Sequence, residues 1–365
     1  MSTIQVINAK HPSSATNNIV LDNIGNAAFA GTAAMGSSFL RNRIINGDMR
    51  IDQRNNGASG TANGYTIDRW FYTSTQSSKG AWQRNAGSVT PPAGFTNYLG
   101  FTSSSAYSVL TGDTFFLGQY IEGFNASDLG WGTANARTVT LSFWVRSSLT
   151  GTFGASLTNN TGRSYPFSYS VSSANTWEQK TVTIPGDTSG TWLTDNGIGI
   201  GVWFGLGSGA TFSGTANAWA AGVLVQPTGT ASVVGTNGAT FYITGVQLEV
   251  GSAATPFERR QFGTEMMLCQ RYYTFVGGVA NGFPIFQGYG ATANDNRTPV
   301  AFPVRMRVSP TAVVNGTWTI ANCSQPLADF LSPDGFCLRV TVTSIGAFFT
   351  HPNSTDDSIT FSAEL

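Results

Sequence analysis

The stretch YITGVQLEVGSAATPFERRQFGTEMMLCQRYY (Tyr242–Tyr273) divides the sequence into two differently patterned halves. In its first nine residues, Tyr242, Val246, Leu248 and Val250 fall on one face at period two. Phe241, Thr244, Gln247 and Glu249 break the apolar run, as in a strand covered on one side. Gly251, Ser252 and Pro256 end that strand. A short helix then follows, with Thr264 as its cap, Glu265 in its first turn, and Met267, Leu268 and Tyr272 as its buried stripe.

Upstream, short β candidates succeed one another: Ile67–Thr73, Ala81–Ala86, Tyr98–Thr102, Phe115–Phe124, Thr138–Ser147, Thr152–Leu157, Ser164–Ser170, Trp177–Ile184, Ile198–Gly205 and Phe241–Val250. In Thr138–Ser147, Val139, Leu141, Phe143 and Val145 point one way, and Thr140, Ser142, Trp144 and Arg146 the other. Ile198, Ile200, Val202 and Phe204 alternate with Gly199, Gly201 and Trp203 in the same manner. One covered and one wetter face per strand makes a two-sheet sandwich, read here as a jelly roll. Downstream the pattern restarts with Pro284–Tyr289, Val300–Val308, Val313–Ile320, Phe336–Ser344 and Ser358–Ala363, a small β domain whose prolines sit at edges or bends. At the other end, Ile4, Val6, Ile19 and Leu21 offer two strand fragments around HPSSATNN, and GTAAMGSS (Gly31–Ser38) reads as a linker. The expected organisation is all-β: an N-terminal segment and linker (1–41), a jelly-roll sandwich (42–257), a short connecting helix (258–275) and a C-terminal β domain (276–365).

Composition narrows the functional classes. Only 10% of the 365 residues are charged, and 19 acids balance 19 bases, so no electrostatic drive toward nucleic acid or an anionic membrane exists. Aromatic residues make up 12%, which argues against disorder despite the wealth of Gly, Ser, Thr and Asn. No signal peptide opens the chain, and no apolar run is long enough to span a bilayer. Three cysteines, Cys269, Cys323 and Cys337, lack a pairing pattern and read as buried free thiols, which suits folding in a reducing cytoplasm. The basic cluster Arg41, Arg43, Arg50 and Arg54 reads as ion-paired with Asp48 and Asp52.

Catalytic signatures are missing. The two histidines, His11 and His351, lie near opposite ends of the chain and beside no nucleophile motif. Asp113, Glu122, Asp128, Glu178 and Asp187 are carboxylates without a glycosidase signature, read as solvated turns and strand edges. A binding face fits better. If Phe115–Phe124, Thr138–Ser147 and Ile198–Gly205 share a sheet, Tyr120, Glu122, Trp144, Arg146 and Trp203 line its outer face. There the aromatic rings could stack on sugar rings while Glu and Arg meet hydroxyls. The same pattern fits aromatics covered by a neighbouring domain or protomer, the commoner use of such residues.

Three strings carry a resemblance: NRIINGDMRIDQRNNG (Asn42–Gly57), YTIDRWFY (Tyr65–Tyr72), and ITGVQLEVGSAATPFERR followed by CQRYY. Together they resemble a recurrent module of bacteriophage and prophage tail-fibre and virion-appendage proteins, closely from Asn42 to Tyr273 and more weakly outside. The resemblance implies a carbohydrate-binding-like jelly roll and a homotrimeric fibre or adhesin that attaches to other virion proteins through residues 1–41. It implies host-surface glycan as a partner, without nucleic acid or membrane insertion. IDRWFY is an expected architectural hallmark, and the ending Ser362–Leu365 resembles the ends of related fibres, as in a complete chain. A head fibre or capsid-decorating protein and a polysaccharide-degrading enzyme are the alternatives. No cofactor is implied, and a structural Ca²⁺ is left open.

Overall fold

The computed structural model describes residues 8–9, 19–21, 27–29, 40–278 and 285–365. Two compact units divide the chain, Met1–Arg41 and Asn42–Leu365. In the first, β1 (Asn8–Ala9), β2 (Ile19–Leu21) and β3 (Ala27–Phe29) form an antiparallel sheet in that order, with Asn8 opposite Val20 and Ile19 opposite Phe29. Ile4, Val6, the HPSSATNN turn, His11 and the GTAAMGSS linker lie outside the described residues.

The second unit begins with a sandwich. Its strands in chain order are β4 (Gly64–Ile67), β5 (Trp70–Ser74), β6 (Gly80–Arg84), β7 (Leu99–Ser103), β8 (Thr114–Glu122), β9 (Val139–Ser147) and β10 (Gly151–Thr158). Then come β11 (Arg163–Val171), β12 (Glu178–Ile184), β13 (Ile198–Ser208), β14 (Ser213–Gly214), β15 (Ala220–Ala221), β16 (Gln226–Pro227) and β17 (Thr240–Val250). One sheet runs β15-β11-β10-β13-β8-β5-β4 and the other β12-β9-β17-β7-β6, while β14 and β16 pair alone. Successive strands keep changing sheet, at β5 to β6, β7 to β8, β8 to β9, β9 to β10, β11 to β12 and β12 to β13. The chain therefore wraps one core as a jelly roll. The inner rows are those alternation marks out: Val139, Leu141, Phe143 and Val145 face Ile200, Val202 and Phe204, with the Phe143 and Phe204 rings 5.0 Å apart.

Two local expectations change. Tyr242 does not share a face with Val246, Leu248 and Val250. A bulge between Thr244 and Gln247 shifts the register against β9, with Gly245 at φ 60°, so the inward row is Phe241, Ile243, Val246 and Leu248. Ile67–Thr73 is not one strand either. Asp68 and Arg69 form the turn between β4 and β5, with Arg69 at φ 70°, and both are buried. Within the basic cluster, Arg50 pairs with Asp48 as expected. Asp52 lies 3.7 Å from Arg84 instead, while Arg43 reaches Asp128 and Arg54 reaches Glu364.

Helix α1 (Phe262–Gln270) occupies the linker, but Thr264 lies inside it and Gln261 precedes its first turn. Its buried residues are Glu265 and Cys269, whereas Met267 is exposed. Glu265 accepts hydrogen bonds from the Asn46 amide (2.5 Å) and from Arg260, fastening the helix to the NRIING segment. Cys269 is fully buried with Ile45, Ile51 and Tyr272, and burial pushes its thiol well above the usual range. Native protein should therefore leave Cys269 unlabelled by a maleimide, as followed by peptide mass mapping, and urea should expose it. Labelling of Cys269 at the rate of a free thiol would contradict this packing.

Downstream lie β18 (Tyr273–Gly277), β19 (Phe286–Gly290), β20 (Asp295–Ala301), β21 (Thr311–Asn315), β22 (Trp318–Ala321), β23 (Leu327–Asp329), β24 (Gly335–Thr341), β25 (Gly346–Pro352) and β26 (Ser358–Ser362). They form three-stranded sheets ordered β18-β26-β21, β19-β25-β22 and β20-β24-β23. Val300–Val308 is strand only to Ala301, and Val313–Ile320 splits into two strands of different sheets at Gly316, φ 75°. Strand β25 falls outside the stretches that alternation marks as strands. Phe302, Phe336 and Phe361 pack together in one apolar cluster of this region, with ring centroids 4.4 to 5.5 Å apart. Cys323 is buried here, and Cys337 is only partly so.

The two β regions of this unit meet over buried charge. Glu364 pairs with Arg54 and Arg69, Arg307 donates to the carbonyls of Ala363 and Glu364, and Tyr65 donates to the carbonyl of Leu365. Arg69 also donates to the Tyr120 carbonyl (2.5 Å) and lies 3.5 Å from the Tyr272 ring centroid. The IDRWFY and CQRYY strings thus join the two β regions of this unit.

Candidate functional site

Strand β9 belongs to the five-stranded sheet, and β8 and β13 to the other, so the five residues expected on one face do not meet. Glu122 is buried and accepts from Arg271 (2.5 and 2.9 Å) and the Tyr272 hydroxyl (2.6 Å), where the two β regions meet. Trp203 is 2% exposed beneath Val225 and against Phe116, at 4.7 Å between rings. Tyr120 stacks on Phe71 at 4.7 Å and donates to Asn160, and burial pushes its phenol up to about 12. The segment carrying Phe212, Val223 and Val225 packs on this face of the seven-stranded sheet. Trp203 and Tyr120 are therefore covered by this segment, while Glu122 is buried in its pairing with Arg271 and Tyr272.

Trp144 and Arg146 stand apart on the outer face of the five-stranded sheet, both partly exposed. Register puts Trp144 between Gln179 and Thr244, and Arg146 opposite Tyr242. The Tyr242 ring lies over Gly100, where an added Cβ would come within 2.8 Å of it. It packs 5.1 Å from the ring of Tyr98, which is 5.5 Å from Trp177. The Tyr98 hydroxyl donates to the Ala86 carbonyl (2.5 Å) and accepts from the Val89 amide (2.8 Å), and the Trp177 indole donates to the Thr90 carbonyl (2.9 Å). These bonds hold the loop bearing Phe95 over the sheet. Phe95 and Trp144 both border the bulge glycine Gly245: a Cβ there would lie 2.6 and 3.0 Å from them.

Phe95 meets Phe257 at 5.2 Å between ring centroids, and the Arg259 guanidinium sits 4.5 Å from the Phe95 centroid. Arg146 donates to the Asn175 carbonyl (3.0 Å), with its guanidinium 5.5 Å from the Tyr242 centroid. The result is a shelf of partly exposed rings, Trp144, Phe95 and Phe257, flanked by two cations, with the Gln179 amide exposed at one side. Among the described residues, the Trp144 indole N–H has no protein acceptor and faces solvent. Flat apolar rings with adjacent unused donors can stack a pyranose and bind its hydroxyls. Sequence alternation identifies Trp144 and Arg146. Phe257 and Arg259, in the string PFERR, and Phe95, in PPAGF, were missed because loops carry them.

The carboxylates considered for catalysis have structural partners. Burial raises the pKa of Asp113, but donors from Tyr107, Gln76, Leu110 and Thr75 outweigh it and hold the carboxyl at about 2. Asp187 takes both arms of Arg163 at 2.7 Å each. Asp113, Glu122 and Asp187 are 3%, 1% and 1% exposed, so these three are not the solvated groups expected, whereas Asp128 is solvated and Glu178 sits on edge strand β12 paired with Lys180. No group of metal-binding side chains occurs among the described residues.

No protein-family profile matches the chain. No curated protein matches it in sequence. Among solved structures, it is similar to a putative sugar binding protein from Bacteroides thetaiotaomicron, at 13% identity and a TM-score of 0.33, covering 57% of this chain and 100% of the other. It is also similar to TmCBM61 in complex with β-1,4-galactotriose, at 11% identity and TM-score 0.30, covering 58% of this chain and 99% of the other. A third is the enzymatically active domain of bacteriophage CBA120 tailspike protein 4, at 12% identity and TM-score 0.31, where 58% of this chain spans 22% of that one.

Proposed function

We propose that this protein is a non-catalytic, glycan-binding component of a bacteriophage virion appendage. It works as a homotrimeric fibre or adhesin anchored to other virion proteins through residues 1–41. The observation that carries the binding role is the shelf of Trp144, Phe95 and Phe257 between Arg146 and Arg259, open on the outer face of the five-stranded sheet. The appendage role rests on the resemblance of the NRIINGDMR, IDRWFY and ITGVQLEV strings. Attachment needs no bond making, and the buried carboxylates serve the fold.

Trp144→Ala tests the shelf. Light scattering should give three chains for parent and variant alike, with unchanged melting. Binding to host cells should fall about fivefold to tenfold, equivalent to roughly 1–1.4 kcal/mol of lost stacking. Lower trimer content or melting temperature in the variant, with cell binding per trimer intact, would make Trp144 a subunit anchor and overturn the proposal.

A further inference from the structure

A cavity opens at one end of the sandwich, lined by none of the residues of the shelf. Its floor is Ile200, at the start of β13, and its walls are Trp131 and Trp192. Its volume is about 160 Å³. Cavities of about that size admit one benzene-sized ring or a comparable planar group.

The walls are rigidly built. The indoles of Trp131, Trp192 and Trp219 meet edge to face, with centroids 4.7, 5.3 and 5.4 Å apart. Each indole N–H is already used, donating to the carbonyls of Arg137, Ser189 and Pro185 respectively. The paired Arg163 and Asp187 hold the loop that carries Trp192, with Asp187 also accepting from the Ser189 amide at 3.1 Å. What the tryptophans offer the cavity is therefore apolar surface alone.

Polarity is confined to the rim. Ser127, Thr133 and Thr194 are exposed there, and no charged residue lines the cavity. The Ser127 and Thr133 hydroxyls donate to the carbonyls of Phe124 and Gly130, and Thr133 also accepts from the Asn135 amide at 3.1 Å, so Ser127 keeps two acceptor positions and Thr133 one. Among the described residues, the Thr194 hydroxyl has no protein partner and can donate. Leu193, 42% exposed, forms the lip.

A small neutral group with an apolar end, one N–H and one C=O matches this lining. We propose that the cavity is a second binding site, specific for the acetamido group of an N-acetylated sugar. The methyl seats against the joined faces of Trp131 and Trp192, over Ile200. The amide N–H meets the Ser127 or Thr133 oxygen, and its carbonyl meets Thr194. This names a sugar class for the glycan-binding reading above and rests on that reading, at a separate place on the domain.

The test uses the full chain labelled with 5-fluorotryptophan, its resonances assigned with Trp131→Phe and Trp192→Phe. It is titrated with N-acetylglucosamine, with glucose and with the 6-deoxy sugar fucose. N-acetylglucosamine should shift the Trp131 and Trp192 signals with an affinity in the roughly millimolar range of a single small ring. Glucose should leave them in place. Leu193→Glu, which puts a charge at the exposed lip, should weaken the response at least tenfold without altering the melting curve. Equal shifts with glucose, or shifts with fucose alone, would overturn the acetamido assignment. No shift with any sugar, in a protein whose cell binding still depends on Trp144, would overturn the cavity site and leave the shelf. Cell binding indifferent to Trp144→Ala, with the acetamido shifts present, would sink the shelf instead.

Discussion

Arg69→Ala should destabilise the protein by about 3–5 kcal/mol, as measured by urea unfolding. The Arg69 side chain is 1% exposed and its partner Glu364 5% exposed, so neither charge is screened by water when the other is removed. The variant also loses the donor to the Tyr120 carbonyl and the cation lying 3.5 Å from the Tyr272 centroid, leaving a hole in the junction. Arg54 still reaches Glu364 at 2.6 Å, which sets the lower end of the range. Lysine should rescue only in part, because one ammonium cannot replace a planar fork serving a carboxylate, a carbonyl and a ring at once. The contrast is Arg305→Ala. Its pair with Asp334 has side chains 67% and 66% exposed, and its loss should cost less than about 1 kcal/mol. If Arg69→Ala behaves like Arg305→Ala, the junction is not held by buried charge.

Gly47→Ala should cost up to about 3 kcal/mol, at the upper end of ordinary overpacking. A Cβ on Gly47 would lie 2.2 Å from the Val246 carbonyl oxygen, which belongs to the backbone and cannot rotate away. The collision falls on the bulge of β17, where the Val246 amide donates to the Gly47 carbonyl at 2.9 Å. The NRIING segment and the bulge therefore fix each other's position. A comparison variant, Gly229→Ala, meets nothing within 4 Å and carries only the strain of φ 81°. It should cost about 1 kcal/mol. Equal melting of the two variants would show that the segment lies farther from β17 than described.

What could be read from the sequence follows from where each residue's partners lie. The inward row of β9 was legible because a half-covered strand writes its faces at period two into its own residues. Trp144 and Arg146 emerged from the same alternation. The sheet that β9 joins did not, because its neighbours are β17 (Thr240–Val250) and β12 (Glu178–Ile184) and not β8 or β13. The turn at Asp68-Arg69 was illegible for a different reason. It carries no Gly, Asn or Pro, and its arginine is held at positive φ by contacts with Tyr120, Tyr272 and Glu364. The helix stripe failed because Glu265, a residue expected in water, is buried by bonds to Asn46 and Arg260, leaving Met267 outside. The shelf was half legible, because Phe95 and Phe257 come from loops whose placement depends on Tyr98 and the bulge.

The Arg69–Glu364 pair also imposes an order on biosynthesis. The two residues are 295 positions apart, so when β4 and β5 leave the ribosome the counter-charge for their turn has not yet been made. At roughly 5–20 residues per second, that interval lasts on the order of 15–60 s. During it the nascent sandwich must keep this corner open and hydrated. A chain whose translation stops before Glu364 lacks the carboxylate that pairs with both Arg69 and Arg54, and so keeps a hydrated arginine at the turn between β4 and β5.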